Sequence, residues 1–319
     1  MATRLVLRGF PRCIGTSVKE LEQFLTFSRT GPDCSTDGTL ATVDSRTIVK
    51  QVLVQGDRVM KPADGVTVLI YHRVGGGSAS EVDLDVGAFR AQLEHLREHH
   101  TVIDLDTAAA VLDGRAAGDK AGAGADVPER AVVVTFDDGT DDFCDVVVPA
   151  LVDDGIPATL YAATHFIDSG EAFPWGAPPA SWAGLRDAAS TGLVTIGSHT
   201  HTHALLDRAD PAELGAELDR SIELIGEHIG TPPAHFAYPK ALPGSEAAEA
   251  EVRSRFTTAA LARSRVNEPG KTDLHRLWRT PIQRSDGHDF FVAKAAGGLR
   301  LEGELRDLVA RVKYRGATR

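Results

Sequence analysis

The chain has 319 residues, 42% apolar and 25% charged, with a formal net charge of −11. That composition is globular, and a chain this long can bury a large core. The acidic balance argues against nucleic acid as a partner and against attraction to an anionic membrane. Cys13, Cys34 and Cys144 are too few and too scattered for a disulfide framework or a thiolate zinc site. The N-terminal stretch "MATRLVLRGFPRCIGTSV" is interrupted by Arg8, Gly9, Pro11 and Arg12, so it carries no apolar core of a secretory signal. No stretch approaches the roughly 18 apolar residues of a membrane span. The expectation is a cytoplasmic chain without a membrane span, or an exported one if the true start lies upstream; its oligomeric state is open.

Residues 1–63 read as an N-terminal extension. Turn-rich "TGPDCSTDGTLATVDS" precedes a short alternation in "TIVKQVLVQGDRVM", with a turn at Gly56–Asp57. From Val66 the pattern changes. "VTVLIYH" is a buried strand, and "DVGAFRAQLEHLREHH" has apolar residues at helical spacing. "TVIDLDTAAAVL" predicts a short strand and a helix, then "DGRAAGDKAGAGADVPER" an exposed loop. "AVVVTFDDG" is a strand ending in acids. "DDFCDVVVPALVDDG" is a helix stopped by Gly155, and "PATLYAATHFI" a strand. "ASWAGLRDAASTG" is a helix stopped by Gly192, "VTIGSHTHTH" a strand, and "PAELGAELDRSIELIGEHIG" a long helix with Pro211 at its start. The strand "HFAYP", the helix "SEAAEAEVRSRF", and the strands "TTAALA" and "RLWRTPI" complete the pattern.

Apolar strands alternating with helices predict a parallel sheet covered by helices. About seven such units fit, which suits a complete or distorted α/β barrel with functional groups at strand C-termini. Residues 64–300 are expected to form this barrel and 301–319 a C-terminal helical tail.

Three polar clusters fall at predicted strand ends: Asp137–Asp138, His199–His203 and Tyr238–Lys240. Adjacent carboxylates repel, so burying both is costly without a compensating partner. They could instead cap a helix, although Asp141 and Asp142 could fill that role more simply. In a strand, His199, His201 and His203 would share one face; in a helix, only His199 and His203 would. Either geometry lets His199 and His203 converge. Imidazole is a common zinc ligand, and a catalytic zinc takes three protein ligands and keeps one position open. Asp137 or Asp138 could supply the third ligand. The other would stand beside an acidified water as general base. That constellation describes a metal-dependent hydrolase.

"TFDDG", "SHTHTH" and "HFAYP", in that order, resemble the polysaccharide deacetylase (NodB-homology) domain, carbohydrate esterase family 4. "VLIYHRV" is similar to the branch that includes the poly-N-acetylglucosamine deacetylases. The resemblance spans about residues 66–285. It implies a distorted (β/α)7 barrel and removal of an N-acetyl group from an amino sugar in a polysaccharide, oligosaccharide or small glycoside. It also implies a divalent cation, zinc first, with cobalt or nickel as alternatives. By motif position it assigns Asp137 as catalytic base and Asp138, His199 and His203 as metal ligands. His201 is left spare, and Thr200 steadies the ligand loop.

The family's third motif is Arg-x-Pro-Tyr, but here Ala237 and Lys240 stand at the Arg and Tyr positions. Arg276, in "LHRLWR", is the candidate replacement for orienting the base. The Lys240 backbone N–H is the candidate oxyanion donor. The Leu-x-His motif that supplies the general acid is not clearly present, which leaves His72 or His275. Trp175 and Trp182 could stack on a sugar or pack a helix, with packing favoured for Trp182. His288 reads as a loop residue. Two other readings use the same residues: hydrolysis of another C–N bond, as in an acylated polyamine or a ureide, and a non-catalytic carbohydrate-binding module.

Overall fold

The computed structural model describes residues 64–114 and 127–298. The expected N-terminal extension, the C-terminal tail and most of the Gly/Ala/Asp loop lie outside the described residues. In chain order, β1 (Thr67–Tyr71), β2 (Arg73–Val74) and β3 (Asp83–Leu84) lead into α1 (Val86–His99). Then come β4 (Thr101–Val102), α2 (Leu105–Asp113) and β5 (Ala131–Asp138). After β5 run α3 (Val148–Asp154), β6 (Ala158–Ala162), α4 (Thr164–Ser169), α5 (Trp182–Ser190) and β7 (Val194–Ser198). The last elements are α6 (Pro211–Ile229), β8 (His235–Ala237), α7 (Glu246–Arg255), β9 (Thr258–Ala260), β10 (Arg279–Pro281) and α8 (Gly287–Ala295).

Seven strands run parallel in the order β10-β1-β5-β6-β7-β8-β9, with β4 paired to the start of β5. The two ends of this order meet. Ala260 bridges Leu277, and the N–H groups of Leu261 and Arg263 donate to the carbonyls of Leu277 and Arg279, each at 2.8 Å. The result is a nearly closed, distorted barrel of the expected (β/α)7 kind.

Alternation along each strand separates two layers. On β5, Val132, Val134 and Phe136 pack outward beneath the helices with Leu69, Leu160 and Ile196. Val133 packs with Val68, Tyr161, Ala237 and Ala260. Leu105, Ala108 and Leu112 of α2 join that second cluster, where strands begin. Asp104 caps α2 by accepting from Thr107 N–H at 2.7 Å. One end of the barrel is therefore filled with apolar side chains, and the polar residues collect at the other.

Two local expectations differ. β6 stops at Ala162, and "HFI" lies in α4 instead. β7 stops at Ser198, so the histidines sit in a loop that is neither strand nor helix.

Candidate active site

Asp137 and Asp138 end β5, and the period of two sends them different ways. Asp137 continues the row of Val133 and Thr135. Asp138 takes φ 76°, and Gly139 follows at 92°, which turns the chain at the barrel mouth. Asp137 meets Arg279, the first residue of β10. The guanidinium donates through its two terminal nitrogens to the two carboxylate oxygens, at 2.5 and 2.9 Å. Arg279 is itself fully buried. It donates from Nε to Leu261 O (3.2 Å), contacts the Thr135 hydroxyl (3.3 Å) and lies 5.0 Å from the Tyr161 ring centre. Burial alone would raise the Asp137 pKa, but Arg279 and then His199 outweigh it and hold the carboxyl at about 2.

This geometry corrects the orienting arginine. Arg276 lies in a turn, Leu274–Arg276, and its guanidinium grips Glu249 at 2.6 and 2.8 Å on the exterior. Arg279, three residues on, opens the strand and faces Asp137.

Asp138 has the opposite environment. Burial first, and the neighbouring Asp137 second, push its carboxyl up to about 8. Its Oδ1 lies 3.7 Å from His199 Nε2 and 3.5 Å from His203 Nε2. The donor atoms of Asp138, His199 and His203 all fall within 4.8 Å of one another. His199 Nδ1 faces the Ala237 carbonyl at 2.8 Å. A carbonyl only accepts, so Nδ1 carries the proton and Nε2 offers its lone pair to the trio. Burial pushes the His199 pKa down to about 3 and lowers that of His203 as well, so both rings are neutral. A buried carboxyl facing two neutral imidazoles is a donor set that a divalent cation fits on displacing the carboxyl proton.

The histidine loop is held from several sides. Thr200, at φ 66°, accepts from Ala204 N–H at 3.1 Å and donates its own N–H to the Ser198 hydroxyl at 3.2 Å. Ser198 in turn bonds Ser221 of α6 at 2.7 Å. Thr202 donates its N–H and its hydroxyl to Glu217. His203 takes φ 61°, which brings its ring within 4.9 Å of His199. His201 turns away to bond the Thr164 hydroxyl at 2.9 Å. Of the six non-glycine residues with positive φ among the described residues, five stand here: Asp138, Thr200, His203, Lys240 and Ala241. Strained backbone is concentrated where these side chains converge.

The trio and Asp137 face a cleft of about 490 Å³ also lined by His72, Arg73, Trp175 and Lys240. Of the two acid candidates, His72 is in this cleft, and its buried Nδ1 has no hydrogen-bond partner. Burial lowers its pKa. His275 instead bonds the Phe256 carbonyl through Nε2 at 2.8 Å and does not line the cleft. Trp175 is 49% exposed, stacks on Phe173 at 4.9 Å and sets its ring against His203. Trp182 packs flat on His228 at 4.5 Å. His288 lies on α8 rather than in a loop.

Asp142, one of two residues that could have capped the following helix, receives Arg73 Nε (3.1 Å) and Val74 N–H (2.7 Å), tying the segment after β1 to the one after β5. Nothing local in the sequence signals that link, or that between Arg279 and Asp137.

Residues 124–258 match the family model described as polysaccharide deacetylase. No curated protein matches the chain. Among solved structures, the fold is similar to IcaB from Ammonifex degensii, with a TM-score of 0.64 and 24% identity over 74% of this chain and 99% of that one. It is also similar to the deacetylase PplD from Streptococcus pyogenes, solved with acetate (TM-score 0.61, 18% identity, 73% and 99% covered). The BpsB deacetylase domain from Bordetella bronchiseptica is a third (TM-score 0.55, 20% identity, 69% and 98% covered). The matched segment holds Asp137, Asp138, His199 and His203, so the part of the chain that builds the cleft is the part similar to a polysaccharide deacetylase domain, and the barrel around it is similar to the solved deacetylase folds.

Proposed function

We propose that this protein removes the N-acetyl group from an N-acetylated amino sugar with the help of a divalent cation, zinc first, held by Asp138, His199 and His203. The observation that carries the reading is one juxtaposition. A three-donor set stands beside an ionised carboxylate fixed by a buried arginine, at the open mouth of the barrel. The chemistry a divalent cation supplies when bound is Lewis acidity, which brings the pKa of a water toward about 7 and draws charge from an acyl oxygen.

Asp137 then takes the proton of the attacking water. A carboxyl held near 2 is a weak base, so it suits a water that is already acidified, and its main service is to fix the direction of attack. Arg279 occupies one side of both carboxylate oxygens, leaving lone pairs toward the cleft. The Lys240 backbone, turned at φ 52°, offers its N–H to the developing oxyanion. His72 protonates the departing amine, and the Trp175 indole gives a sugar ring a flat apolar face at the rim.

Acetate release from monomeric and oligomeric N-acetylhexosamines, measured on zinc-loaded full-length protein, tests the reading. Asp137→Asn should retain the cation and lose on the order of 10²-fold or more in rate. Release of ammonia from ureides, with none of acetate from any sugar, would move the site to another C–N substrate.

A further inference from the structure

At the opposite end of the barrel, where α1 finishes and β4 begins, four histidines gather. His95 and His99 are four apart on α1 and share its face. His100 is the residue that caps the helix, and His288 arrives from α8. From the ring centre of His95 the other three lie at 4.6 Å (His99), 5.4 Å (His100) and 5.7 Å (His288). Zinc sits about 2.0–2.1 Å from an imidazole nitrogen, so two rings on one tetrahedral zinc stand roughly 5 Å apart, centre to centre. The pair in the active-site trio, His199 and His203, stands at 4.9 Å. The three spacings from His95 bracket that value.

The nitrogens are prepared as well. His95 Nε2 is buried and has no hydrogen-bond partner, which is costly for a polar atom unless something completes it. His100 Nδ1 faces the Arg130 carbonyl at 3.2 Å, so it carries the proton and leaves Nε2 as a lone pair. That is the arrangement His199 has with Ala237. Burial, then neighbouring charges, lower the pKa of His95 and bring that of His100 to about 4, which keeps both rings neutral. A helix C-terminus favours a cation, and this cluster closes the last turn of α1. Arg130 and Glu98 place one charge of each sign beside it.

Among the described residues only Asp138, His199 and His203 bring three donor atoms within 4.8 Å of one another. Closing the quartet on one cation therefore requires the two exposed rings, His99 and His288, to turn toward His95 and His100. His99 is 51% exposed in its side chain, and His288 lies on the surface.

We propose that His95, His99, His100 and His288 form a second divalent-cation site, a structural one, that fastens α8 to the end of α1. Its chemistry selects imidazole-binding cations such as zinc or nickel over magnesium or calcium.

Calorimetric titration of the full chain with Zn²⁺ tests this. The wild type should bind two equivalents. Asp138→Asn should keep one, and His95→Ala should keep the other, with acetate release by His95→Ala within about twofold of wild type. His99→Ala alters an exposed ring and leaves the core intact. It should weaken the second equivalent by roughly tenfold or more, which covers the case in which His95→Ala fails to fold. Zn²⁺ should also raise the Tm of Asp138→Asn but not that of Asp138→Asn/His95→Ala. A single equivalent that Asp138→Asn abolishes would overturn the proposal. So would a second equivalent indifferent to both His95→Ala and His99→Ala.

Discussion

The two walls of the barrel are built differently. Along β1, β5, β6 and β7, five consecutive Cα partners join each neighbouring pair. Along the other wall, β7 meets β8 at one pair, Ser198 and Phe236, and β9 reaches the last-strand segment at one bridge, from its final residue Ala260 to Leu277, which precedes β10. The regular wall delivers the two aspartates at the end of its longest strand. The sparse wall delivers acceptors. With few ladder bonds to make, the carbonyl of Ala237 is left for His199 and that of Leu261 for Arg279. Regular pairing fixes where the charges stand, and irregular pairing frees the backbone groups that orient their partners.

Substitutions on each wall sharpen this division. The largest effect is expected from Arg279→Ala, which leaves Asp137 buried without its partner. It should cost about 3–5 kcal/mol in urea unfolding and reduce acetate release, while Arg279→Lys restores charge but not the two-nitrogen grip. Leu160→Ala, in the outer core of the regular wall, should cost about 2–5 kcal/mol and leave cation affinity unchanged. Loss of cation binding in that variant would show the two functions are not separable.

The adjacent aspartates supply a smaller, pH-dependent effect. Asp138 is pushed up to about 8 by burial and by Asp137, so below that pH a cation must displace its proton. Affinity should therefore fall about tenfold per pH unit below 8 and level off above it. Calorimetry in buffers of different ionisation enthalpy would register the released proton. Asp137, at about 2, contributes no such slope near neutrality. The smallest effect belongs to Arg276→Ala, which breaks an exposed pair with Glu249. It should cost under about 1 kcal/mol and leave acetate release unaltered. A large loss there would return the orienting role to Arg276.

The same division explains what could be read from the chain alone. Long apolar strands with helices between them identify the barrel, because burial on both faces leaves a strong imprint. Asp137, Asp138, His199 and His203 are carried by short motifs whose members are near one another in sequence. The histidines converge by left-handed turns at Thr200 and His203, which no periodicity anticipates. Arg279 is invisible locally for another reason. Its partner lies 142 residues away, and the three-residue strand that presents it is too short to separate in sequence from the turn holding Arg276. Asp142, bonding Arg73 69 residues back, is hidden in the same way.

The pairing of the barrel's first and last strands, Val68 beside Arg279, also sets an order of events during synthesis. Contacts of such long sequence separation form late. Asp138, His199 and His203 have all emerged well before Arg279, so a nascent chain can bring those three side chains together while Asp137 still lacks its guanidinium partner. The arrangement of all five residues is complete only with the strand that closes the ring.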